Sequence, residues 1–478
     1  VRRTSAVRVP GHSEALSLVL LVALAAGCGG SDPDRASSEL PNVLLVTIDT
    51  LRADHCTPYG YGRETTPRLA ALAESGVLFE CVYAPIPSTA PSHSTIFTST
   101  EPRTHGVSRN GASLPADATT LAEILRGHGY RTAAFVSSFV LDRKFGLDQG
   151  FDLYDDDFEG AATTLGSGIQ WEGREVEETF DRRAAETTDR VLDWIARKED
   201  SPPFFLWVHY FDPHGPYVPP PRYREQFRRE TSRNRRKKII DRYDAEVRYT
   251  DDQLARLLDA VGAAAPPAGT LTIVAGDHGE GLNQHQWLAH GLHLYEEAVR
   301  VPLVVHWPGV VPEGRRVRGP VGLIDLLPTI LGTLALPAEN AILEGTDLSP
   351  SWETVGPKGI YSANPGDRAI FLERRYYESE EVVDGMGRTV RVRGSKWGVR
   401  WRRWKYIVAP EEDTAELFDL AADPGELRNV VEKHPDVSRK LREIMQEWHS
   451  REPTHTLRAE RNLSDEDARR LRALGYLR

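Results

Sequence analysis

Unbroken apolar runs recur along this chain with amphipathic stretches between them, and that alternation restricts the fold more than any other feature. "NVLLVTID" (42–49), "TAAFVSS", "FFLWVHYF" (204–211), "TLTIVAGD" (270–277) and "RVPLVVHW" read as buried strands. "TPRLAALAESG", "TLAEILRGHGY", the stretch 179–198, "DRYDAEVRYTDDQLARLLDAVG" and "LIDLLPTILGTL" read as helices. Runs that are apolar at every position must be buried on both faces. Strands separated by helices therefore predict an α/β fold with a largely parallel sheet covered on both sides.

Near residue 365 the pattern changes. "RAIFLERRYY", "RTVRVRGSKWGVRW" and "RRWKYIVA" follow one another without helices between them and predict a small antiparallel sheet. "PDVSRKLREIMQEWHS" is an amphipathic helix, and "LSDEDARRLRALGYLR" opens on a Ser/Asp cap. The expected division is a catalytic domain over 41–365, an antiparallel-sheet subdomain over 366–450 and a last helix within 451–478.

The leading residues read as an export signal. Arg2, Arg3 and Arg8 precede a short apolar run, Leu16–Ala26, that ends in "LAAGC". Small residues before Cys28 resemble a bacterial lipobox. By that resemblance Cys28 is lipidated after removal of the leader, residues 29–40 form a tether, and the protein is periplasmic or outer-membrane-anchored. Simple secretion is the alternative. Cys56 and Cys81 can pair or remain free thiols. A formal net charge of −11 argues against a nucleic-acid partner. Arg235–Lys238 and the stretch 388–405 are local basic runs, read as solvated faces.

Chemistry gathers at strand ends, where open α/β sheets place their ligands. Asp49 closes the first strand; His209, Asp212 and His214 close "FFLWVHYFDPHGPY"; Asp277 and His278 close "TIVAGDHGEG"; His290 and His293 follow shortly after. Asp and His together suit a divalent cation such as Zn²⁺, Mn²⁺, Mg²⁺ or Ca²⁺. "PSTAPSHSTIFTS" (87–99) crowds hydroxyls before a helix, and a bound cation can turn one of them into a nucleophile. Pro91, read as a first helical residue, would direct the backbone N–H groups that follow it at an anion.

"VTIDTLRADH", "STAPSHSTIFTST", "HYFDPHGPY", "GDHGEGL", "HGLHLYEEAVRVPLVV" and "ELFDLAADPGELRN" together resemble the sulfatases of the alkaline phosphatase superfamily, in order from about residue 41 to 450. The resemblance implies an alkaline-phosphatase-like three-layer sandwich with a smaller domain carrying an antiparallel sheet. Sulfatases carry Cys or Ser in C-x-P-S-R, oxidised to formylglycine. Here Thr89 stands at that position and His93 replaces Arg. Thr50 follows Asp49 where a second acid is usual, and His290 replaces a later Lys. These departures, and "HYFDPHGPY", also resemble the phosphoethanolamine transferases, which use Thr. Ser88 offers a rival, because Ser88-Thr89-Ala90 fits a looser S-x-A maturation pattern.

The resemblance implies a metal-dependent hydrolase of sulfate or phosphate esters, acting without formylglycine. Asp49, Thr89, Asp277 and His278 would hold the metal, and Thr89 would attack. His209, His214 and His290 would bind oxygens or protonate the leaving alcohol. His93 and Arg300 would contact the substrate, with Glu280 in support. In the alternative reading Asp212, His214 and His290 hold a second metal. The substrate would be an anionic ester of a glycan, lipid or small molecule, and the membrane would be reached through the lipid anchor. A transferase acting on envelope glycans or lipids uses the same residues, and a catalytically dead binding module on this scaffold is the third reading.

Overall fold

The computed structural model describes residues 40–476 apart from 159–161, 165–169, 172–173, 177, 198–202, 230–233, 340, 354–367, 452–456, 458, 460–462 and 475. The leader, Cys28, nearly all of the tether and the boundary at 365 lie outside the described residues.

The catalytic domain contains β1 (Asn42–Ile48), β2 (Val77–Tyr83), β3 (Arg131–Phe135) and β4 (Leu153–Asp155). Two short ribbons follow, made of β5 (Ala162–Thr164) with β8 (Glu178–Phe180) and β6 (Gln170–Trp171) with β7 (Arg174–Glu175). The domain continues with β9 (Phe204–Tyr210), β10 (Thr270–Gly276), β11 (Arg300–His306) and β12 (Arg315–Gly322). The main sheet has the order β12-β2-β11-β10-β1-β9-β3-β4. Only β11 runs against its neighbours; the other pairings are parallel.

Every residue of β1, β9 and β10 is buried. Val43 and Leu45 enter the core on one face of the sheet, while Leu44, Val46 and Ile48 enter the core on the other. Two covered faces are why these strands are apolar throughout. At about 1.5–3 kcal/mol per fully buried aliphatic side chain, this layered burial is the main source of stability.

The antiparallel sheet comprises β13 (Ile370–Val383), β14 (Thr389–Trp401), β15 (Trp404–Ala409) and β16 (Thr414–Asp419), in that order. The Pro435–Ser450 helix packs Leu441 and Met445 against it. The basic stretch 388–405 is only partly a solvated face. Lys405 is fully buried and binds Glu296 at 3.1 Å and Glu426 at 2.9 Å, and Arg400 donates to Tyr83 at 2.8 Å. These paired charges fasten the smaller sheet to the larger domain. Arg235–Lys238 opens the Arg235–Ala263 helix and is largely exposed.

Other departures from the sequence reading are local. The stretch 179–198 divides into β8 and a helix over Ala184–Ala196. Asp212 Oδ2 accepts the Ala184 N–H at 2.7 Å and supports that helix start. The helix within "PSTAPSHSTIFTS" begins at Thr89, so Pro91 is its third residue. The proline costs nothing there, because first-turn N–H groups have no partner within the helix. Cys56 and Cys81 are free thiols.

Candidate active site

Strands β10, β1 and β9 are adjacent at the centre of the sheet, and their carboxyl ends bring Asp277, Asp49 and His209 together. Parallel register aligns Ile48 with Gly276, so Asp49 and Asp277 leave the sheet at the same level. The Thr89–Thr98 helix, wholly buried, begins against this edge. Thr89 Oγ1 lies 3.2 Å from His278 Nε2 and 3.4 Å from Asp49 Oδ2. Ser88 is only half-buried, in extended backbone just before the helix, and lines an outer pocket.

Backbone placement at this edge is maintained under strain. Thr50 has φ 54°, a left-handed conformation that a β-branched residue rarely adopts. Its N–H donates to Asp277 Oδ1 at 3.1 Å, and its carbonyl accepts from Tyr243 at 2.7 Å. The residue standing where sulfatases place a second acid thus acts through its backbone, orienting Asp277. Such strain costs on the order of 1–3 kcal/mol and persists only where its surroundings enforce it.

Asp49 Oδ1, Asp277 Oδ2 and His209 Nε2 are buried without a hydrogen-bond partner. Two buried carboxylates with unpaired oxygens require a cation or protons. Two sets of donor atoms are close enough to hold a metal ion: Asp49, Asp277 and His278, and His93, His209 and Asp277. Tautomers separate them. His278 Nδ1 contacts the Gly279 carbonyl at 2.9 Å, which can only accept, so Nδ1 carries the proton and Nε2 keeps its lone pair. His93 donates from Nδ1 to the Thr89 carbonyl at 2.8 Å. Its Nε2 meets Thr47 Oγ1 at 2.9 Å, a hydroxyl that already accepts from Trp207 and therefore donates to the ring. His209 Nδ1 faces the Ser137 N–H at 3.4 Å, which places the His209 proton on Nε2. The second set has no free imidazole lone pair.

The first set fits a divalent cation. His278 Nε2 is 3.5 Å from Asp49 Oδ1 and 3.6 Å from Asp277 Oδ2. Thr89 Oγ1, 3.2 Å from His278 Nε2, stands beside these donor atoms. Burial holds the His278 ring well below its ordinary pKa, so it is neutral and able to ligate. Burial also raises Asp49, with the charge of Asp277 adding to it, and pushes Asp277 up to about 7. A cation must displace those protons, so its affinity rises with pH. Chelator competition is expected to give binding about tenfold or more tighter near pH 8 than near pH 6. Equal affinities would mean that the two carboxylates are ionised throughout that range.

The remaining expected residues divide into two groups. His290 contacts Glu280 Oε1 through Nδ1 at 3.3 Å, has its ring tilted against that of His278 with centroids 4.4 Å apart, and lines the outer pocket with Ser88, Arg109, Asn110 and Tyr377. His209 Nε2 lies 3.6 Å from Asp49 Oδ2. His214 has both nitrogens engaged, Nδ1 with the Gly215 carbonyl at 2.6 Å and Nε2 with Tyr476 at 2.9 Å. Asp212 accepts from Ala184 and pairs with Arg183 at 3.0 Å, and among the described residues Asp212, His214 and His290 are not a group whose donor atoms converge as for a metal ion.

Two residues expected against substrate face elsewhere. His93 is fully buried beneath the helix start, and burial pushes its pKa down to about 4. Arg300 donates to the Glu80 carbonyl at 2.8 Å and does not line the pocket. The Ala90 N–H donates to Asn110 Oδ1 at 2.9 Å, and the Ser92 N–H, the first after Pro91, donates to the Ser88 carbonyl at 3.0 Å. Asn110, Arg375, Tyr377 and Tyr476 line the site but escaped the sequence reading, having no local motif to mark them.

A strand-edge set of two carboxylates, a neutral imidazole and a buried hydroxyl, on this sheet, gathers the donor types that suit a divalent cation. Residues 41–336 match the Sulfatase family, and 283–451 match the C-terminal region of N-sulphoglucosamine sulphohydrolase. The chain belongs to the sulfatase family, an enzyme class of ester hydrolases. It is 21% identical to N-acetylglucosamine-6-O-sulfatase of Bacteroides thetaiotaomicron, over 90% of this chain and 89% of that one. It is 22% identical to an arylsulfatase of Clostridium perfringens, over 87% and 96% of the two chains. Its fold is similar to the crystal structure of a phosphonate monoester hydrolase of Agrobacterium radiobacter, with TM-score 0.69, 23% identity, and coverage of 86% and 95%.

Proposed function

We propose that this protein hydrolyses sulfate or phosphate esters with unmodified Thr89 as nucleophile. One observation carries the reading: Thr89 Oγ1, and not the hydroxyl of Ser88, sits within 3.4 Å of both Asp49 and His278. Asp49, Asp277 and His278 would hold a divalent cation, which would supply positive charge to favour an ionised Thr89 and to offset charge on the ester oxygens.

Thr89 Oγ1 attacks sulfur or phosphorus in line, forming one O–S or O–P bond as the bond to the leaving alcohol oxygen breaks. Asp49 Oδ2, 3.4 Å from the hydroxyl, is the chain's own acceptor for its proton. His209 presents Nε2–H at this edge and is suited to bind a non-bridging oxygen. His290 lines the pocket with its Nδ1 3.3 Å from Glu280 Oε1, and is placed to deliver a proton to the leaving oxygen. Water then attacks the same sulfur or phosphorus, releasing the inorganic anion and restoring Thr89. The relatives that act on sulfated glucosamine and aryl sulfates support an anionic glycan or small-molecule ester as substrate.

The test is a panel of p-nitrophenyl sulfate, phosphate and phosphonate esters with Zn²⁺, Mn²⁺, Mg²⁺ and Ca²⁺. At least one pair should turn over, stop on chelation, and release inorganic anion and alcohol in equal amounts. Transfer to an added alcohol in place of anion release would instead indicate a transferase. No turnover with any pair would leave a binding module as the better reading.

A further inference from the structure

The Asp465–Ala473 helix departs from its neighbours in sequence and docks on the catalytic domain. Leu471 and Leu474 are buried in the core beside the main sheet. Ser464 and Asp467 form a capping box at its start, and Asp467 binds Lys144 at 2.7 Å. Gly111, at φ +81°, leaves room for Leu471, whose Cδ1 would lie 2.8 Å from a Cβ at that position. The chain then turns, with the Tyr476 N–H donating to the Leu471 carbonyl at 2.8 Å, and Tyr476 enters the wall of the outer pocket.

At that point Tyr476 meets two histidines of the site. Its hydroxyl lies 2.9 Å from His214 Nε2, and its ring centre lies 6.0 Å from His214 and 6.1 Å from His290. The Gly215 carbonyl holds the His214 proton on Nδ1, so Nε2 accepts and the tyrosine hydroxyl donates. His214 is thereby fixed in one orientation, edge-on to His290 with centroids 5.1 Å apart. The pocket on the leaving-group side is consequently walled by an aromatic ring that is delivered from a remote segment.

We propose that Tyr476 is a specificity-determining residue, selecting esters whose alcohol part is a ring, sugar or aryl, over esters of acyclic alcohols. This rests on the hydrolase reading for its substrate, but the placement of Tyr476 rests on contacts alone. A flat ring offers a leaving alcohol apolar area and a fixed boundary, both of which an open-chain alcohol uses poorly. The same ring shields His214 from solvent.

Two measurements on full-length, metal-loaded protein test it. Diethyl pyrocarbonate labelling of His214, read by peptide mass, needs no substrate. Wild type and Tyr476→Phe should be protected, and Tyr476→Ala should label about tenfold faster or more, since its Nε2 is uncovered. The ratio of kcat/KM for a p-nitrophenyl ester to that for the matching ethyl ester, followed by anion release, should fall about tenfold in Tyr476→Ala through KM. Tyr476→Phe should retain most of that preference. If wild type turns over neither ester, equilibrium binding of the same pair replaces the ratio, so failure of the hydrolase reading is told apart from failure of this one. Wild-type His214 labelling as fast as in Tyr476→Ala, or a preference unchanged by removing the ring, would overturn the proposal.

Discussion

Thr89→Ala is expected to lower kcat by about three powers of ten or more, because among the described residues no other hydroxyl bonds to both Asp49 and His278. Thr89→Ser should keep a measurable part of the activity, since the oxygen remains and only a methyl is lost. Ser88→Ala should cost far less, because Ser88 lies before the helix in the outer pocket. Ser92→Ala should also leave the nucleophile in place, because the Ser92 hydroxyl is engaged in donating to the Asp277 carbonyl at 2.6 Å. The comparison has to be made at saturating metal, so that a change in occupancy is not read as a change in chemistry. A Thr89→Ala enzyme working at the wild-type rate would remove Thr89 from the reaction.

Asp277 carries the second large effect. Its two oxygens have different tasks: Oδ1 accepts from Thr50 N–H at 3.1 Å and His278 N–H at 2.7 Å, while Oδ2 has no protein partner. Asp277→Asn preserves an oxygen for Thr50 and removes the charge. Its metal affinity should fall by about a hundredfold or more, since even residues behind the ligands cost 10–100-fold. Asp277→Ala should lose the metal and also release the strained Thr50 turn, lowering the melting temperature of the metal-free protein. Asp212→Asn is the control, because Asp212 supports a helix start and pairs with Arg183, and its metal content should match wild type. Full occupancy in Asp277→Asn, measured by metal analysis after dialysis, would exclude Asp277 from the ligand set.

The central strands were legible because burial on both faces leaves an unbroken apolar run, and the polar residue that ends it then stands out. Asp49, His209, Asp277 and His278 were found in this way. Strand β2 was missed because Glu80 and Cys81 interrupt "VLFECVY", and β12 because an edge strand carries arginines on its open side. The reversed direction of β11 has no signature, since an antiparallel strand buried on both faces is as apolar as a parallel one. At the site, residue type alone could not distinguish a ligand from a support. His93 resembles a substrate contact by position, yet its two nitrogens are consumed by Thr89 and Thr47. Tyr476 reaches His214 across 262 residues, a pairing that no local pattern encodes.

Whether the nucleophile is an unmodified threonine is decided by the mass of the peptide spanning residues 86–93 from active, metal-loaded enzyme. An unmodified Thr89 nucleophile gives the mass of the unaltered sequence, with Ser88 and Thr89 both intact. A deficit of about 2 Da at Ser88, the two hydrogens lost when a serine is oxidised to formylglycine, would contradict it and transfer the role of nucleophile to Ser88.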